Sequence, residues 1–497
     1  MSNQKDRDYT DPAIYSTHHQ KFEKAGLPTT QQGWIQRAQD VAVILGEDAA
    51  ARDIANKSPV AEVSLLKSSG LLKVLGPKQY GGGAQSWETG YKVIREVAKT
   101  DGSLGMLLGY HLLWSTTANV VGTAEQADSI QQVIIQNNFF VGGAVNPRDS
   151  DLKITSEGDE IVFNGFKNFN TGGVISDLTV LEGVLDGTED HIFTLVKTDQ
   201  VGIQFAHNWD SVGLRLTESG SVKISNVRVP WTDALGWDAH KKKPDPSVLG
   251  IPFASLLLPT IQLVFSNFYL GIAQGALSAA SEYTTKSTRA WPFGGDNKDK
   301  AIEEFYILER YGEFRSHLAA ADALTDRAGA EIANLYREAG QFGSVIDDEN
   351  LLKNSVSPNY LVPTPGDASR PNPPYTLSTA AAFQNIGAEA KQSNGTYTNG
   401  HTNGTSKKGR DAITAQRRGE VSAFVAHAKV VTTDTGLSVT SGIFEMLGSR
   451  ATGKKYGFDR YWRDIRTHSL HDPVAYKKRE VGRWQLLGEI PEPTWYT

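Results

Sequence analysis

From residue 31 to 136 apolar side chains recur at helical spacing. Trp34, Ala38, Val41, Ala42 and Leu45 share one helical face, and Val60, Val63, Leu66 and Leu71 share another. Gly70, Pro77 and the run Gly81-Gly82-Gly83 punctuate the segment. Ser86, with Glu88 behind it, is a candidate N-cap. A further helix is predicted after Asp101-Gly102-Ser103, carrying Leu104 to Val120. Near Phe139 the period switches to short alternating or apolar runs. These are Leu152–Thr155, Glu160–Phe163, Leu178–Leu181, His191–Val196 and Val222–Ile224. Gly158-Asp159, Asn164-Gly165 and Asp186-Gly187 lie between them, which predicts a small β-barrel or sandwich ending near Val229-Pro230. From Pro252 the helical period returns, over about 253–287, 299–340, 411–447 and 474–486. The most apolar run, Ile251 to Ala280, is interrupted by Pro259, Gln262, Ser266, Asn267 and Gln274. A bilayer span is ~20 mostly apolar residues, so this run reads as a buried bundle helix.

The pattern divides the chain into three domains: helical at 1–137, β at 138–232, and a helical bundle at 233–497. The length of 497 residues agrees with that division at roughly 150 residues per domain. A polar insertion at 341–410 interrupts the last domain. Residues 356–376 are Pro-rich, and Lys391 to Gly409 is almost purely Asn, Gly, Thr, Ser, Lys and His. Such a segment cannot bury enough apolar surface to offset its ordering entropy, so disorder is expected there. Asn394-Gly395-Thr396 and Asn403-Gly404-Thr405 fit the glycosylation pattern. The polar start, Met1 to Asp8, lacks an apolar leader, so they read as loop. A cytoplasmic protein with no membrane partner is expected.

The net charge of −6 argues against a nucleic-acid partner. The absence of cysteine excludes a disulfide framework, a thiolate metal site, a Cys nucleophile and an iron–sulfur centre. No G-x-G-x-x-G follows a strand, and neither a G-x-x-x-x-G-K-[ST] nor an H-E-x-x-H occurs. No metal site is expected. The chemistry must come from oxygen, nitrogen or a bound cofactor.

The sharpest local feature is the pair His468 and His471 in Arg463-Asp464-Ile465-Arg466-Thr467-His468-Ser469-Leu470-His471-Asp472-Pro473. Pro473 keeps Asp472 out of a helix, so the pair lies at a helix-to-loop transition where side chains can face a cleft. Equally, both could be structural, bonded to Asp464 or Asp472. His111 sits among Leu107, Leu108, Tyr110, Leu112, Leu113 and Trp114. It is either a satisfied core residue or a desolvated neutral base. Arg289, before Ala290-Trp291-Pro292-Phe293-Gly294-Gly295, and Arg450, after Leu447-Gly448-Ser449, could each grip a phosphate at a helix end. Helix termination explains the same glycines.

Taken in order, these elements resemble the acyl-CoA dehydrogenase superfamily from about residue 30 to 490, apart from the insertion. Pro77 with Tyr80-Gly81-Gly82 resembles "P-x-x-Y-G-G". Phe140 to Asp151, with Asn146-Pro147 and Ser150-Asp151, resembles the "T-E-P-x-x-G-S-D" flavin loop. Gly165 to Gly172 resembles "G-x-K-x-W-I-T-N". Gly213-Leu214-Arg215 with Thr217, Ser219 and Val227 to Pro230 resembles the close of the β domain. Phe444 to Gly448 and Arg460 to Asp464 resemble the "G-x-G" and "Y-R-D" region. One departure is informative. Where dehydrogenases carry their catalytic Glu, within "Y-E-G-T", this chain has His471-Asp472-Pro473-Val474. Arg466 to Pro473 instead resembles the "R-T-H-T-L-H-D-P" signature of the flavin-dependent monooxygenase branch, as does Gly109-Tyr110-His111.

The resemblance implies an α+β, acyl-CoA dehydrogenase-like fold: an N-terminal all-α domain, a central β-barrel or sandwich and a C-terminal four-helix bundle. It also implies a homotetramer. It implies a two-component monooxygenase, in which a separate flavin reductase supplies reduced flavin, FMN or possibly FAD. O2 would add to it as a C4a-hydroperoxyflavin and oxygenate a small heteroatom-containing or aromatic substrate. Water must be kept out, and Trp114, Phe169, Trp291 and the C-terminal segment would form an aromatic pocket. By position, Thr171 approaches flavin N5, His471 handles the proton, and His111 stands on the substrate side. Arg289 and Arg450 resemble phosphate grips; Asn146, Ser150, Phe169 and His468 lie near the flavin. The rival is a flavin oxidase or dehydrogenase with Asp472 as base.

Overall fold

The computed structural model describes residues 8–146, 151–293, 297–342 and 409–492. The first layer is helical: α1 (Ser16–Ala25), α2 (Gln31–Gly46), α3 (Ala49–Ala55), α4 (Val60–Ser68), α5 (Trp87–Ala98), α6 (Gly102–Ser115), α7 (Thr117–Val121) and α8 (Ala124–Asn137). Local chemistry sets several of these boundaries. The Asp101 carboxylate accepts from Leu104 N at 3.1 Å and starts α6. Thr123 and Gln126 form a reciprocal capping box that starts α8. Every residue of α6 is buried, because it runs through the middle of the molecule between α5, α10 and β1. The predicted helix from Leu104 to Val120 is broken at Thr116, whose hydroxyl bonds back to Leu112 O at 2.9 Å.

Among the described residues the middle of the chain forms two main sheets, followed by a two-stranded ribbon of Trp237–Asp238 and Lys243–Pro244. One has the order β1 (Val141–Ala144), β4 (Leu178–Val184), β5 (His191–Lys197). The other has the order β2 (Leu152–Glu157), β3 (Glu160–Lys167), β7 (Val222–Pro230), β6 (Ile203–Phe205). β1 runs parallel to β4, and the other pairings in these sheets are antiparallel. Leu181, Ile192 and Val196 of one sheet share a core with Ile154, Phe163, Val222 and Ile224 of the other. That is sandwich packing. Among the described residues the strands make two sheets rather than one closed barrel, joined by a bridge between Ile154 and Leu185. Strand β6 has too few residues for its alternation to register in the sequence.

The last domain is helical: α9 (Pro246–Leu249), α10 (Leu257–Ser287), α11 (Phe305–Glu338), α12 (Ala415–Leu447), α13 (Phe458–His468) and α14 (Val474–Leu487). The long helices begin a few residues later than their periodicity predicts. A 3-10 turn at Pro252–Leu256, for instance, precedes α10. By length and composition Pro252–Ser287 could cross a membrane, but 89% of its apolar window is buried against other elements. Buried Arg418 of α12 donates to Ser255 O at 3.2 Å and Glu492 O at 2.8 Å, tying the chain's far end to the start of the bundle. Gly409 N donates to Glu338 O at 3.3 Å, so the predicted insertion leaves and re-enters at one place. Its disorder and its two glycosylation tripeptides lie outside the described residues.

Candidate active site

Helix α13 delivers the histidine pair, and its docking fixes where they point. The Asp464 carboxylate accepts from Leu214 N at 2.6 Å, and the Thr467 hydroxyl accepts from Gly213 N at 2.9 Å. A Cβ on Gly213 would stand 2.2 Å from the Arg463 carbonyl, so only glycine allows this approach. Arg463 pairs with Asp53 of α3 at 2.6 Å. Helix α13 is thus pinned to both other domains. It ends at His468, and the next helix begins only after Pro473. As predicted, the histidines fall at a helix-to-loop transition, with rings stacked 5.1 Å apart.

The two rings have different environments. His468 is buried. Its Nε2 faces the Tyr110 hydroxyl at 3.2 Å and its Nδ1 the Tyr269 hydroxyl at 2.7 Å. Phe265 and Phe268 present edges to it at 4.4 and 4.8 Å. Burial, then the charges of His471 and Lys429, push its pKa well below an ordinary histidine. A neutral ring accepts at one nitrogen and donates at the other, so His468 can relay a proton between the two tyrosines. His471 is partly open, with its side chain 38% exposed.

Under the pair lies a cation. Lys429 of α12, only 1% exposed, reaches Asp472 Oδ1 at 3.2 Å and the Tyr269 hydroxyl at 3.5 Å. Its ammonium sits 4.4 Å from the Phe265 ring centre and 5.0 Å from that of Tyr269. The Asp472 oxygen that meets Lys429 also lies 3.4 Å from His471 Nδ1. Burial alone would raise the Asp472 pKa, but the Lys429 charge, the hydrogen bond and charge of His471 and the charge of His468 together outweigh it and hold the carboxylate well below its usual range. A carboxylate so stabilised is a weak base. This opposes the reading of Asp472 as the group that takes a carbon-bound proton.

A second group is made of hydroxyls. Thr171, buried, bonds to Ser219 at 2.9 Å, and Ser219 to Thr217 at 2.7 Å. The Thr171 carbonyl accepts from Gly143 N at 3.2 Å, and Trp114 closes on Gly143 so tightly that no side chain fits there. Buried Lys167 holds Asn146 by its carbonyl, 2.8 Å away, and is itself paired with Glu182 at 3.0 Å. Ser150 lies outside the described residues. Phe169 adopts φ +58° and is 59% exposed, edge-on to Trp209. Trp291 is likewise 59% exposed. Of the three aromatics expected to wall a pocket, only Trp114 is buried within one chain.

The expectation for His111 needs correcting. Its Nε2 lies 3.0 Å from Leu72 O and its Nδ1 accepts from Val141 N at 3.0 Å. The ring stacks on Phe140 at 5.3 Å, and burial lowers its pKa to about 4. Both nitrogens serve the backbone, so nothing remains for substrate; this is the core alternative. His468, expected near the flavin, is buried with both ring nitrogens facing tyrosine hydroxyls. Arg289 and Arg450 do share a corner. Thr288, just beyond α10, donates to Leu447 O at the end of α12, 3.3 Å away. Both arginines are exposed and neither makes an ion pair among the described residues. A polar cleft of about 370 Å³ lies elsewhere, lined by Lys92, Arg95, Lys99, Gln274, Asp322 and Asp326. Its Arg95 is engaged by Asn267, Asp322 and Asp326.

Sequence reasoning missed Lys429, Tyr269 and Phe265. The signal for Lys429 is a charge on the apolar face of a helix, between Val425 and Thr433, where a partner is obligatory. Tyr269 stands inside the most apolar run of the chain, where a buried hydroxyl also needs a partner.

Comparison with known proteins places this geometry. Residues 38–136 match the acyl-CoA dehydrogenase N-terminal domain, and 384–475 match an acyl-CoA dehydrogenase C-terminal domain. Dibenzothiophene monooxygenase of Rhodococcus qingshengii is 34% identical over 458 residues, 90% of this chain and 91% of that protein. A probable FMNH2-dependent monooxygenase, SfnC, of Pseudomonas putida is 29% identical, over 93% of this chain and 96% of that one. The crystal structure of TdsC from Paenibacillus sp. A11-2 with FMN and indole superposes with a TM-score of 0.74 at 30% identity. It covers 93% of this chain and 100% of the other. The fold, the two domain matches and these relatives agree: the chain belongs to the acyl-CoA dehydrogenase superfamily, in its flavin-dependent monooxygenase branch.

Proposed function

We propose that this protein is the oxygenase of a two-component system. It takes reduced FMN from a separate reductase and uses O2 to oxygenate a small sulfur-containing or aromatic heterocyclic compound. One observation carries the reading. Where the resemblance puts the dehydrogenases' carboxylate, this chain has an exposed imidazole, and the carboxylate beside it, Asp472, is neutralised by a buried lysine. The relatives support FMN and the substrate class, since one is named for dibenzothiophene and another was solved with FMN and indole.

The residues fit a flavin. The Thr171–Ser219–Thr217 hydroxyls supply neutral donors and acceptors, and the buried Asn170 amide and Trp114 indole nitrogen have no hydrogen-bond partner among the described residues. Arg289 and Arg450, exposed and without an ion pair among the described residues, offer two cations for a phosphate. Bound reduced FMN supplies the electrons with which O2 is divided between product and water. Thr171 holds the ring system by its hydroxyl. His471 gives and recovers the proton at the open face, while His468 and its tyrosines supply protons from behind. Trp114 excludes water from one side. Exposed Phe169 and Trp291 are covered by other copies in a homotetramer, in a cytoplasmic enzyme.

Purified protein given reduced FMN, air and dibenzothiophene or indole should form oxygenated product. His471→Ala should consume reduced FMN at a similar rate yet release mainly hydrogen peroxide. Protein purified with tightly bound oxidised FAD, bleached by an organic substrate under nitrogen, would contradict the proposal.

A further inference from the structure

The Lys429–Asp472 pair has a consequence for His471. A buried carboxylate beside an imidazole ordinarily acts as its counter-ion and holds it as an imidazolium. Such a ring is an acid that cannot readily take its proton back. Here the groups packed on His471 are Asp472 beside it, His468 on α13 and the Phe265 ring on α10, 5.2 Å away; behind them stand Tyr110 on α6 and Tyr269 on α10, which meet His468, and Lys429 on α12, which meets Asp472. Lys477 of α14 also acts on Lys429 and is itself paired with Glu480 at 2.6 Å. Within this set Lys429 is the one side chain that meets the Asp472 carboxylate as a buried cation, held against the faces of Phe265 and Tyr269.

We propose that Lys429 is a positioning residue that neutralises Asp472, leaving that carboxylate to orient His471 through Nδ1 rather than to retain its proton. His471, partly exposed, then keeps Nε2 free to give a proton and recover it in each turnover. The same ammonium approaches Tyr269, and Tyr269 fixes His468. One buried charge therefore sets both rings of the stacked pair. The orientation of the histidines rests on contacts in this chain alone. Its catalytic value rests on the proposed oxygenase function.

The test is made first on protein without flavin or substrate, by nitrogen-15 NMR of the histidine side chains near neutral pH. Wild type should show His471 neutral and protonated at Nδ1. Lys429→Met should convert it to the imidazolium, and Lys429→Arg should restore the neutral ring. If Lys429→Met does not fold, the double variant Lys429→Met with Asp472→Ala removes both charges. His471 should then revert to the Nε2-protonated tautomer that free histidine prefers. An unchanged His471 spectrum in Lys429→Met, or a retained Nδ1 tautomer in the double variant, overturns the assignment. In turnover, Lys429→Met should raise the ratio of hydrogen peroxide to product about tenfold, with substrate KM unchanged. Should wild type give the predicted spectra but never oxygenate a substrate, the oxygenase reading fails and the positioning role stands.

Discussion

Lys429 and Asp472 are joined by an ion pair 3.2 Å long whose ammonium is 1% exposed. Pairs of this kind are costly to break and cheap to replace, because a lone buried charge keeps its full desolvation penalty. Asp472→Ala should therefore cost about 3–5 kcal/mol. Lys429→Met added to it should recover much of that loss. Urea unfolding of the two single variants and the double variant checks this. Additive losses would show that the two charges do not interact.

His111 carries the second prediction. Burial lowers its pKa from 6.5 to about 4, so between those values the unfolded chain binds a proton that the folded protein refuses. Stability should fall as pH drops from about 6.5 toward 4, by as much as about 3 kcal/mol. His111→Gln should lose stability at neutral pH, where two backbone partners go unmet, and should lack that part of the acid slope. Denaturation midpoints at pH 7.5 and 4.5 decide. A variant as stable as wild type but inactive would return His111 to the chemistry.

Asp464 slopes the other way. Burial raises its pKa to about 7 from an ordinary 3.8, so over that window the folded state holds a proton the unfolded chain has released. Its contribution to stability should decline as pH rises from about 4 to 7 and then level off. Asp464→Asn keeps an acceptor for Leu214 N and should remove the decline. An identical slope in the variant would contradict the assignment.

Thr171 tests the hydroxyl group. Thr171→Val should keep the fold, weaken FMN binding several-fold and divert reduced FMN toward hydrogen peroxide. Thr171→Ser should retain both the hydroxyl and the coupling. Flavin titration with peroxide and product assays measures this, and a Val variant as well coupled as wild type would remove Thr171 from the site.

The contrast between foreseen and unforeseen residues has a physical basis. Helices α10 to α12 were legible because each buries a stripe at fixed spacing, and the His468–His471 turn was legible because Pro473 has one steric consequence. The parallel β1–β4 pairing and the short β6 were not, because strand alternation reports burial but neither partner nor direction. His111 was ambiguous for a related reason. An apolar surrounding is the same for a core histidine and a desolvated base, and only the positions of Leu72 O and Val141 N separate them. Lys429 and Tyr269 lie 160 residues apart, so their contact could not be read from spacing. Phe169 and Trp291 suggest pocket walls by their aromatic type, which says nothing about exposure in one chain.

The most direct measurement is mass spectrometry of the product formed from dibenzothiophene or indole with reduced FMN under oxygen-18 gas. Each oxygenation should place one labelled atom from the gas in the product, with none from unlabelled water and none formed when oxidised FMN replaces reduced. Product that carries no label, or that forms equally well under nitrogen with reduction of a bound flavin, would contradict the account.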